Sequence, residues 1–330
     1  MTQSIGSSDA TMLLARFVAA LLSVGLTAWG ASVASGQNYP NKPIRMVTGE
    51  VGGGPDYVAR LIARGISGPL GQQVIVDNRP TGIIPADIVS KAPPDGYTLL
   101  VTSNVLWITP LLQNTPYDPL KDFLPITLAT ISPNILVVHP SVAAQSVKEL
   151  IALAKAKPGT LNYASSSTGT ASHLAGELFK SMAGVDIVRV PYKGASLATN
   201  DLISGQVQLA FFTATSVMPH VKTGRLRALA VTSAQRFARF PELPTVASAL
   251  PGYESGAIYG VFAPAKTSRT IVNRLNQQIV QVLNAAEVKE KVFNAASEVV
   301  ASLPEQLGTT MKSEIVRMGK VIKDAGIRID

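Results

Sequence analysis

Short apolar runs alternate with segments of helical apolar spacing along almost the whole chain after residue 36. The run Ile44–Thr48 has the length of a strand, and Asp56–Ile66 places Val58, Leu61 and Ile62 on one helical face. Strands that alternate with helices are typical of parallel sheets covered by helices on both faces. There are more of these units than one compact sheet would hold, so the pattern predicts an α/β protein with two lobes.

Nine such runs predict strands, and the tail from Ser268 to Ala325 is predicted to be helical with breaks near Ala285 and at Pro304. The predicted strands are Ile44–Thr48, Val74–Asp77, Thr98–Thr102, Ile135–His139, Asn162–Ser165, Ile187–Val190, Gln208–Thr213, Arg227–Thr232 and Ala257–Ala263. In sheets of this kind ligands bind beyond the carboxyl ends of the strands, where loops lead into helices. The loops that follow these strands are therefore the candidate ligand-binding segments.

The first 36 residues differ from the rest of the chain. Arg16 precedes an apolar run from Phe17 to Trp29, and small residues follow as far as Gly36. A positive start, an apolar centre and a small-residue exit are typical of a secretory signal peptide, and the run is short for a membrane span. We expect residues 1–36 to be cleaved on export, and an uncleaved anchor remains an alternative.

The composition excludes several classes of function. No cysteine occurs in the 330 residues, which rules out disulfides, thiolate metal sites and cysteine nucleophiles. The three histidines have no metal-ligand spacing, so we expect neither a metal nor a cofactor. The net charge is +8, but the basic residues are scattered without interleaved aromatic residues, so we expect no nucleic-acid partner.

The loop between Thr48 and Asp56 is rich in glycine. Gly52, Gly53 and Gly54 allow close backbone approach, and Pro55 is well placed at the start of a helix. Free N–H groups at the positive end of a helix suit an anion. The loop is not a phosphate loop, because no Gly-Lys-Ser/Thr follows, and a simple turn into a helix remains an alternative.

The stretch Ser165–His173 carries six hydroxyl side chains at the mouth of a predicted helix: Ser165, Ser166, Ser167, Thr168, Thr170 and Ser172. One helix cap needs only one hydroxyl, so the surplus favours ligand binding, although capping alone remains an alternative. We expect these neutral donors to hold a carboxylate without a fixed positive charge. His173 is interpreted as a residue that orients the helix start.

Two further loops are polar at strand ends, at Ser103-Asn104 and at Thr213. Catalytic motifs are missing, since the chain has no Gly-x-Ser-x-Gly elbow and no paired carboxylates typical of a glycosidase. A serine-dependent esterase that uses Ser165–His173 remains an alternative function, with Glu177 as the acid nearest to His173. An exported structural or adhesive domain is a third possibility.

Several motifs resemble one known family. They are "KAPPDGYTLL", "YDPLKDF", "PNILVVHPS", "KELIALAKAKPGTLNYASSSTGTASHLAGELFKSMAGVDIVRVPYKG", "GRLRALAVTS" and "LPTVASALPGYE", in unbroken order between Tyr39 and Asp330. They are similar to those of the Bug-type extracytoplasmic solute receptors, the periplasmic binding components of tripartite tricarboxylate transporters. The resemblance implies a two-lobed periplasmic-binding-protein (Venus-flytrap, type II) fold with a parallel-rich sheet in each lobe.

The resemblance also implies lobe boundaries and partners. Residues 37–137 and 258–330 would form lobe one, and residues 138–257 would form lobe two. The expected function is capture of a small carboxylate-bearing organic molecule between the lobes and its delivery to the membrane permease subunits of the transporter. We expect a monomer that is not an enzyme.

In the family a ligand carboxylate is clamped between one loop from each lobe. For this chain, the resemblance and the polar strand ends together imply a set of ligand-binding residues. They are Gly53, Gly54, Asp56, Ser103, Asn104, Ser167, Thr168, Gly169, Thr170, Ser172, His173, Tyr192 and Thr213.

The chain departs from the family pattern in two places. Thr48-Gly49-Glu50-Val51 stands where a Pro-aromatic pair is usual, and Pro80–Pro85 replaces a glycine-rich run. A carboxylate at Glu50 beside an anion site repels an anionic ligand unless the side chain faces away. An amino acid, or an acid with a hydroxyl donor near Glu50, would then fit better than a polycarboxylate.

Overall fold

The computed structural model describes residues 39–80, 83–166, 169–192, 195–324 and 326–327, without the side chains of residues 195 and 196. One compact unit begins at Lys42, and residues 39–41 lie outside it. The predicted signal peptide, Ser167 and Thr168 lie outside the described residues.

The described residues form ten strands and ten α-helices. The strands are β1 (Ile44–Thr48), β2 (Val74–Asn78), β3 (Thr98–Ser103), β4 (Phe123–Val138), β5 (Asn162–Ser165), β6 (Val188–Pro191), β7 (Leu209–Thr213), β8 (Arg227–Val231), β9 (Gly256–Pro264) and β10 (Glu298–Val299). The helices are α1 (Gly54–Leu70), α2 (Ile84–Ser90), α3 (Val105–Leu112), α4 (Val147–Ala156), α5 (Ala171–Ala183), α6 (Ala195–Ile203), α7 (Ala214–Lys222), α8 (Arg269–Asn284), α9 (Ala286–Asn294) and α10 (Pro304–Asp324).

Local sequence signals place the two helices that follow the candidate loops. Helix α1 begins with Pro55 in its first turn and ends at Gly71, whose φ of 66° is in the left-handed region. Helix α5 ends in the same way at Gly184, with a φ of 60°. Glycine adopts this conformation without the strain that a Cβ atom causes, which fixes where both helices stop.

Two sheets share the long strand β4. In the first, β1 pairs in parallel with β2 and β3, while β9 pairs antiparallel with both β3 and β4. In the second, β5 pairs in parallel with β6 and β7, while β4 pairs antiparallel with β7 and β8. Each sheet is therefore mixed, with parallel outer pairs and antiparallel pairs around β4 and β9.

Strand β4 is buried on both faces. Leu136 and Val138 belong to one core cluster, and the alternating residues Ile135 and Val137 belong to another. Successive side chains of a strand point to opposite faces, so the strand contributes to packing on both sides of the sheet. The predicted lobe boundaries fall at the end of β4 and within β9, and the division into lobes at these residues stays a prediction.

Candidate functional site

Asp56 organises the loop between β1 and α1. Its carboxylate is 3% exposed and accepts hydrogen bonds from the Gly52 N–H (2.9 Å) and Asn78 Nδ2 (2.8 Å), while Arg60 Nε lies 2.9 Å from Oδ1. Asn78 Nδ2 also donates to the Gly49 carbonyl at 2.8 Å. The side chain predicted to bind ligand thus holds the loop in shape.

These contacts control the charge of Asp56. Burial alone would raise its pKa, but hydrogen bonds from Arg60, Asn78 and Gly52 outweigh burial and hold the pKa below its usual value. The carboxylate therefore stays ionised and paired at neutral pH. The neighbouring Glu50 is exposed and accepts a hydrogen bond from the Gly53 N–H at 3.3 Å through its backbone carbonyl.

Tyr259 of β9 lies against the start of α1. A Cβ atom at Gly54 would be 2.1 Å from the Tyr259 hydroxyl, so only glycine allows this approach. Tyr259 is also the register partner of Ser103 in β3. The structure thus brings Gly54 and Ser103, both predicted site residues, to a tyrosine that the sequence did not indicate.

The hydroxyl-rich loop between β5 and α5 has an internal hydrogen-bond network. The Ser166 N–H donates to Ser172 Oγ at 3.0 Å, and the hydroxyls of Ser172 and Thr170 lie 3.1 Å apart. Thr170 is the N-cap residue of α5, but its side chain caps no backbone N–H. Gly169, which precedes the helix, has a φ of 82°, in the left-handed region. Conventional capping does not account for these hydroxyls.

His173 is buried and neutral. Its Nδ1 accepts a hydrogen bond from the Gly169 N–H at 3.1 Å, which leaves the proton of the neutral ring on Nε2. Burial, together with the nearby cations Arg189 and Lys180, lowers its pKa to about 4. His173 thus holds Gly169 of the loop against the start of α5.

Arg189 of β6 supplies a cation at the same loop. Its Nε donates to Ser165 Oγ at 2.8 Å, and one of its terminal nitrogens donates to the Ser166 carbonyl at 3.2 Å. Ser165 is fully buried. The expectation of a loop without a fixed positive charge is therefore wrong, because a guanidinium group holds the start of this loop.

A buried polar pair lies beneath the loop. Tyr163 donates through its hydroxyl to Glu177 Oε1 at 2.5 Å, and Lys180 Nζ lies 3.4 Å from Glu177 Oε2. Burial and the Glu177 carboxylate raise the pKa of Tyr163, which stays protonated. Glu177 is thus committed to Tyr163 and Lys180 and is not placed to orient His173 as the acid of an esterase.

The remaining predicted residues lie at the carboxyl ends of their strands. Asn104 donates to the Gly256 carbonyl at 3.1 Å, and Thr213 bonds to Ser216 at 3.0 Å. Tyr192 donates its hydroxyl to Asp201 at 2.8 Å. Burial and the Asp201 carboxylate raise the pKa of Tyr192 to about 12, so its phenol is a protonated donor already in use.

Strand β4 connects the two groups of site residues. Thr130 pairs with Tyr259 of the first sheet, and Asn134 pairs with Thr213 of the second. Four residues of strand at about 3.3 Å each separate these positions by roughly 13 Å. The even spacing places Thr130 and Asn134 on the same face of β4, so both groups are anchored to one side of one strand.

Neither a membrane-spanning helix nor a metal-binding cluster occurs in the part of the chain that the structure describes. No helix there combines the length and apolar character needed to cross a membrane. The same residues contain no group of three or more His, Asp or Glu side chains that could hold a metal ion.

We expect the neutral state of His173 to make stability depend on pH. The ordinary pKa is 6.5 and the folded value is about 4, so the unfolded chain takes up a proton between these values that the folded chain does not. Stability is complete above pH 6.5 and falls as pH decreases to 4, by about 2 kcal/mol between pH 7 and 4.5 from this residue.

Urea unfolding of wild type and His173→Asn at both pH values measures this effect. An asparagine Oδ1 can accept from the Gly169 N–H but does not titrate. The variant should lose about 2 kcal/mol less than wild type on acidification. Equal losses in the two proteins would show that His173 does not titrate in this way.

Comparisons with known proteins place the chain among transport receptors. The family model described as "Tripartite tricarboxylate transporter family receptor" matches residues 58–327. Protein BugT of Bordetella pertussis is 33% identical over 325 residues, which cover 96% of this chain and 100% of BugT.

Two solved structures with ligands are also similar. Rpa4515 of R. palustris with adipate has a TM-score of 0.75 and 36% identity, covering 88% of this chain and 99% of its own. MatC (Rpa3494) from Rhodopseudomonas palustris with bound malate has a TM-score of 0.72 and 28% identity, covering 86% of this chain and 100% of its own. The resemblance to Bug-type receptors and the two-lobed α/β fold are confirmed. The matched family consists of receptors, not enzymes, so the esterase alternative is not supported.

Proposed function

Because this chain belongs to the tripartite tricarboxylate transporter receptor family, we propose that it captures a small carboxylate-bearing molecule between its two loop groups and delivers it to a membrane permease. The first group is the β1–α1 loop with Gly54 and Ser103, and the second is the β5–α5 loop with Thr170 and Arg189. Each group lies at the start of a helix, where free N–H groups favour an anion.

The connection through β4 is the observation that carries this proposal. Tyr259 and Thr213 pair with residues four positions apart on one face of that strand, roughly 13 Å along its axis. A small organic acid held at one group therefore comes within reach of the other when the lobes approach each other. Adipate and malate in the two similar structures support an organic acid as the ligand.

The charges at the two loops favour an anion. Asp56 is paired with Arg60, His173 is neutral at pH 7, and Arg189 adds a positive charge beside Ser165 and Ser166. Glu50, on the first loop, is exposed. The site thus suits a carboxylate, and an amino group or hydroxyl on the ligand is compatible with Glu50.

The division of the chain follows from the same proposal. Lobe one comprises residues 37–137 and 258–330, and lobe two comprises residues 138–257, so the chain passes between the lobes at the end of β4 and near the start of β9. In this arrangement Asp56 and His173 contribute by shaping their loops, while Ser167 and Thr168 extend the donor set of the second loop. Asn104, Tyr192 and Thr213 complete the strand ends around the ligand.

Export and partners belong to the proposal as well. Residues 1–36 act as a cleaved signal peptide, and the mature receptor is a periplasmic monomer that meets the permease subunits of its transporter. N-terminal sequencing of the exported protein tests cleavage, and a protein that still begins at Met1 would contradict it.

A thermal-shift panel tests ligand capture and narrows the ligand class. The panel contains monocarboxylic, dicarboxylic and hydroxy acids, amino acids, and adipamide as a neutral control. Binding to the native state alone raises its stability by RT ln(1 + [L]/Kd), about 2.7 kcal/mol at a hundredfold excess over Kd. At least one acid should raise the melting temperature while adipamide does not; no shift with any acid would contradict the proposal.

Thr170→Val tests whether the hydroxyl-rich loop binds ligand or only caps α5. The hydroxyl of Thr170 bonds to Ser172 and caps no backbone N–H, so unliganded stability should change by less than about 1 kcal/mol. Loss of a hydrogen bond to a carboxylate should weaken affinity roughly ten- to a hundredfold. Calorimetric titration and urea unfolding of the same variant measure both. Unchanged affinity with reduced stability would assign the loop a structural role.

A further inference from the structure

The end of the Tyr259 side chain lies at the N-terminal end of α1. A Cβ atom at Gly54 would lie 2.1 Å from the phenol oxygen and 2.6 Å from Cζ. The hydroxyl therefore lies against the first turn of the helix, where unpaired backbone N–H groups and the helix dipole create a positive environment.

The Tyr259 side chain is partly buried, and its hydroxyl has no protein acceptor among the described residues. Burial raises its pKa to about 12, and no hydrogen bond to it occurs among the residues that the structure describes. Tyrosine hydroxyls that are largely removed from water usually find a hydrogen-bond partner. This donor is therefore available to a group from outside the protein.

Hydroxyl side chains flank Tyr259 on both neighbouring strands. Ser103 of β3 and Thr130 of β4 are its register partners, and side chains of paired residues emerge on the same face of a sheet. Thr130 Oγ1 is buried and also lacks a hydrogen-bond partner. Ser103, Tyr259 and Thr130 thus form a hydroxyl row that crosses three strands beside the start of α1.

We propose that Tyr259 is a further ligand-binding residue, whose phenolic O–H donates a hydrogen bond to the carboxylate held at the start of α1. The inference rests on the proposed function, because it concerns the same ligand. A carboxylate is the acceptor that suits both the unpaired O–H and the positive end of the helix. Since α1 follows β1, and β1 and β9 both belong to the first sheet, this contact forms without the second loop group.

Tyr259→Phe removes only the hydroxyl, and calorimetric titration with adipate or malate, or with the tightest-binding acid of the thermal-shift panel, measures its contribution. Loss of one hydrogen bond to a charged group predicts a roughly ten- to a hundredfold weaker affinity. The melting temperature without ligand should not fall, because the hydroxyl has no acceptor in the described protein.

Tyr117→Phe is the matched control. The Tyr117 hydroxyl also has no partner among the described residues, but it is buried, and its ring packs on Phe123 in the core, with centroids 5.8 Å apart. Its removal should leave affinity unchanged. Equal affinity in wild type and Tyr259→Phe, or an equal loss in Tyr117→Phe, would overturn the inference while leaving the proposed function intact.

A second pair of variants changes helix α1 instead of Tyr259. Gly54→Ala forces the hydroxyl away from the start of α1 and should weaken affinity at least as much as Tyr259→Phe. Gly68→Ala, on the same helix with nothing within 4 Å of a new Cβ, should have no effect. A Gly54→Ala variant that binds like wild type would overturn the inference. A wild-type protein that binds no acid would overturn both the proposed function and this inference.

Discussion

Replacing Asp56 by asparagine is expected to lower the free energy of unfolding by on the order of 3 kcal/mol and to weaken ligand binding. The carboxylate is buried and accepts from the Gly52 N–H, Asn78 Nδ2 and Arg60. An asparagine amide would direct its own N–H groups at one of these donors. It would also leave Arg60 without its counter-charge, while the volume stays the same.

Urea unfolding and calorimetric titration of Asp56→Asn check both effects. Glu287→Gln is the matched control, because it breaks an exposed pair with Lys291 on α9 and should not change stability measurably. Stability close to wild type in Asp56→Asn would contradict the assignment of Asp56 as the residue that shapes the first loop.

Replacing Arg189 by methionine is expected to weaken ligand affinity about a hundredfold or more. The substitution removes two charge-assisted hydrogen bonds that hold the start of the second loop in place, and it removes the positive charge expected beside the anion. Arg189→Lys keeps the charge but cannot make both hydrogen bonds, to Ser165 and to Ser166, at once. The affinity of this variant for the ligand should therefore be intermediate.

Titration at low and high salt separates these two contributions of Arg189. The charge contribution is screened by salt, whereas the loss of loop geometry is not. Arg225→Met removes an exposed arginine that contacts His220 and serves as a control for net charge. If Arg189→Met bound the acid as tightly as wild type, the guanidinium would have no part in the second ligand-binding group.

The strand and helix pattern was predictable where apolar runs are bounded by turn residues. Strands β1 and β5 match their predicted limits, and α5 begins three residues before its predicted start at Leu174. Local patterns succeed here because the strands end at polar or glycine-rich loops that the sequence shows directly.

Two elements were missed for a physical reason. Only Ile135–His139 was predicted as strand, although β4 runs from Phe123, and α3 was not predicted at all. Pro125 and Pro133 argue against a central strand, but β4 shifts its register near Pro125, and Pro133 pairs with Gly256 at the start of β9. Helix α3 is buried over most of its length and contains Pro110, so it lacks an amphipathic period.

The two loops of the candidate site were visible in the sequence as glycine and hydroxyl clusters, but their partners were not. Arg189 is 24 residues from Ser165, and Tyr259 meets Gly54 only because β9 returns to the first sheet. Neither residue belongs to a local motif. Such contacts depend on strand order, which a single sequence does not encode in its local pattern.

Calorimetric titration of the mature protein with an acid and its amide tests whether the receptor recognises a carboxylate. Adipamide has the same chain length as adipate, but each carboxylate is replaced by a neutral amide, whose NH2 group donates hydrogen bonds where a carboxylate oxygen accepts them. We predict saturable binding of adipate, or of the preferred acid of the thermal-shift panel, and binding of the amide weaker by at least a hundredfold. Equal binding of acid and amide, or no binding of either, would contradict a receptor that recognises its ligand through a carboxylate.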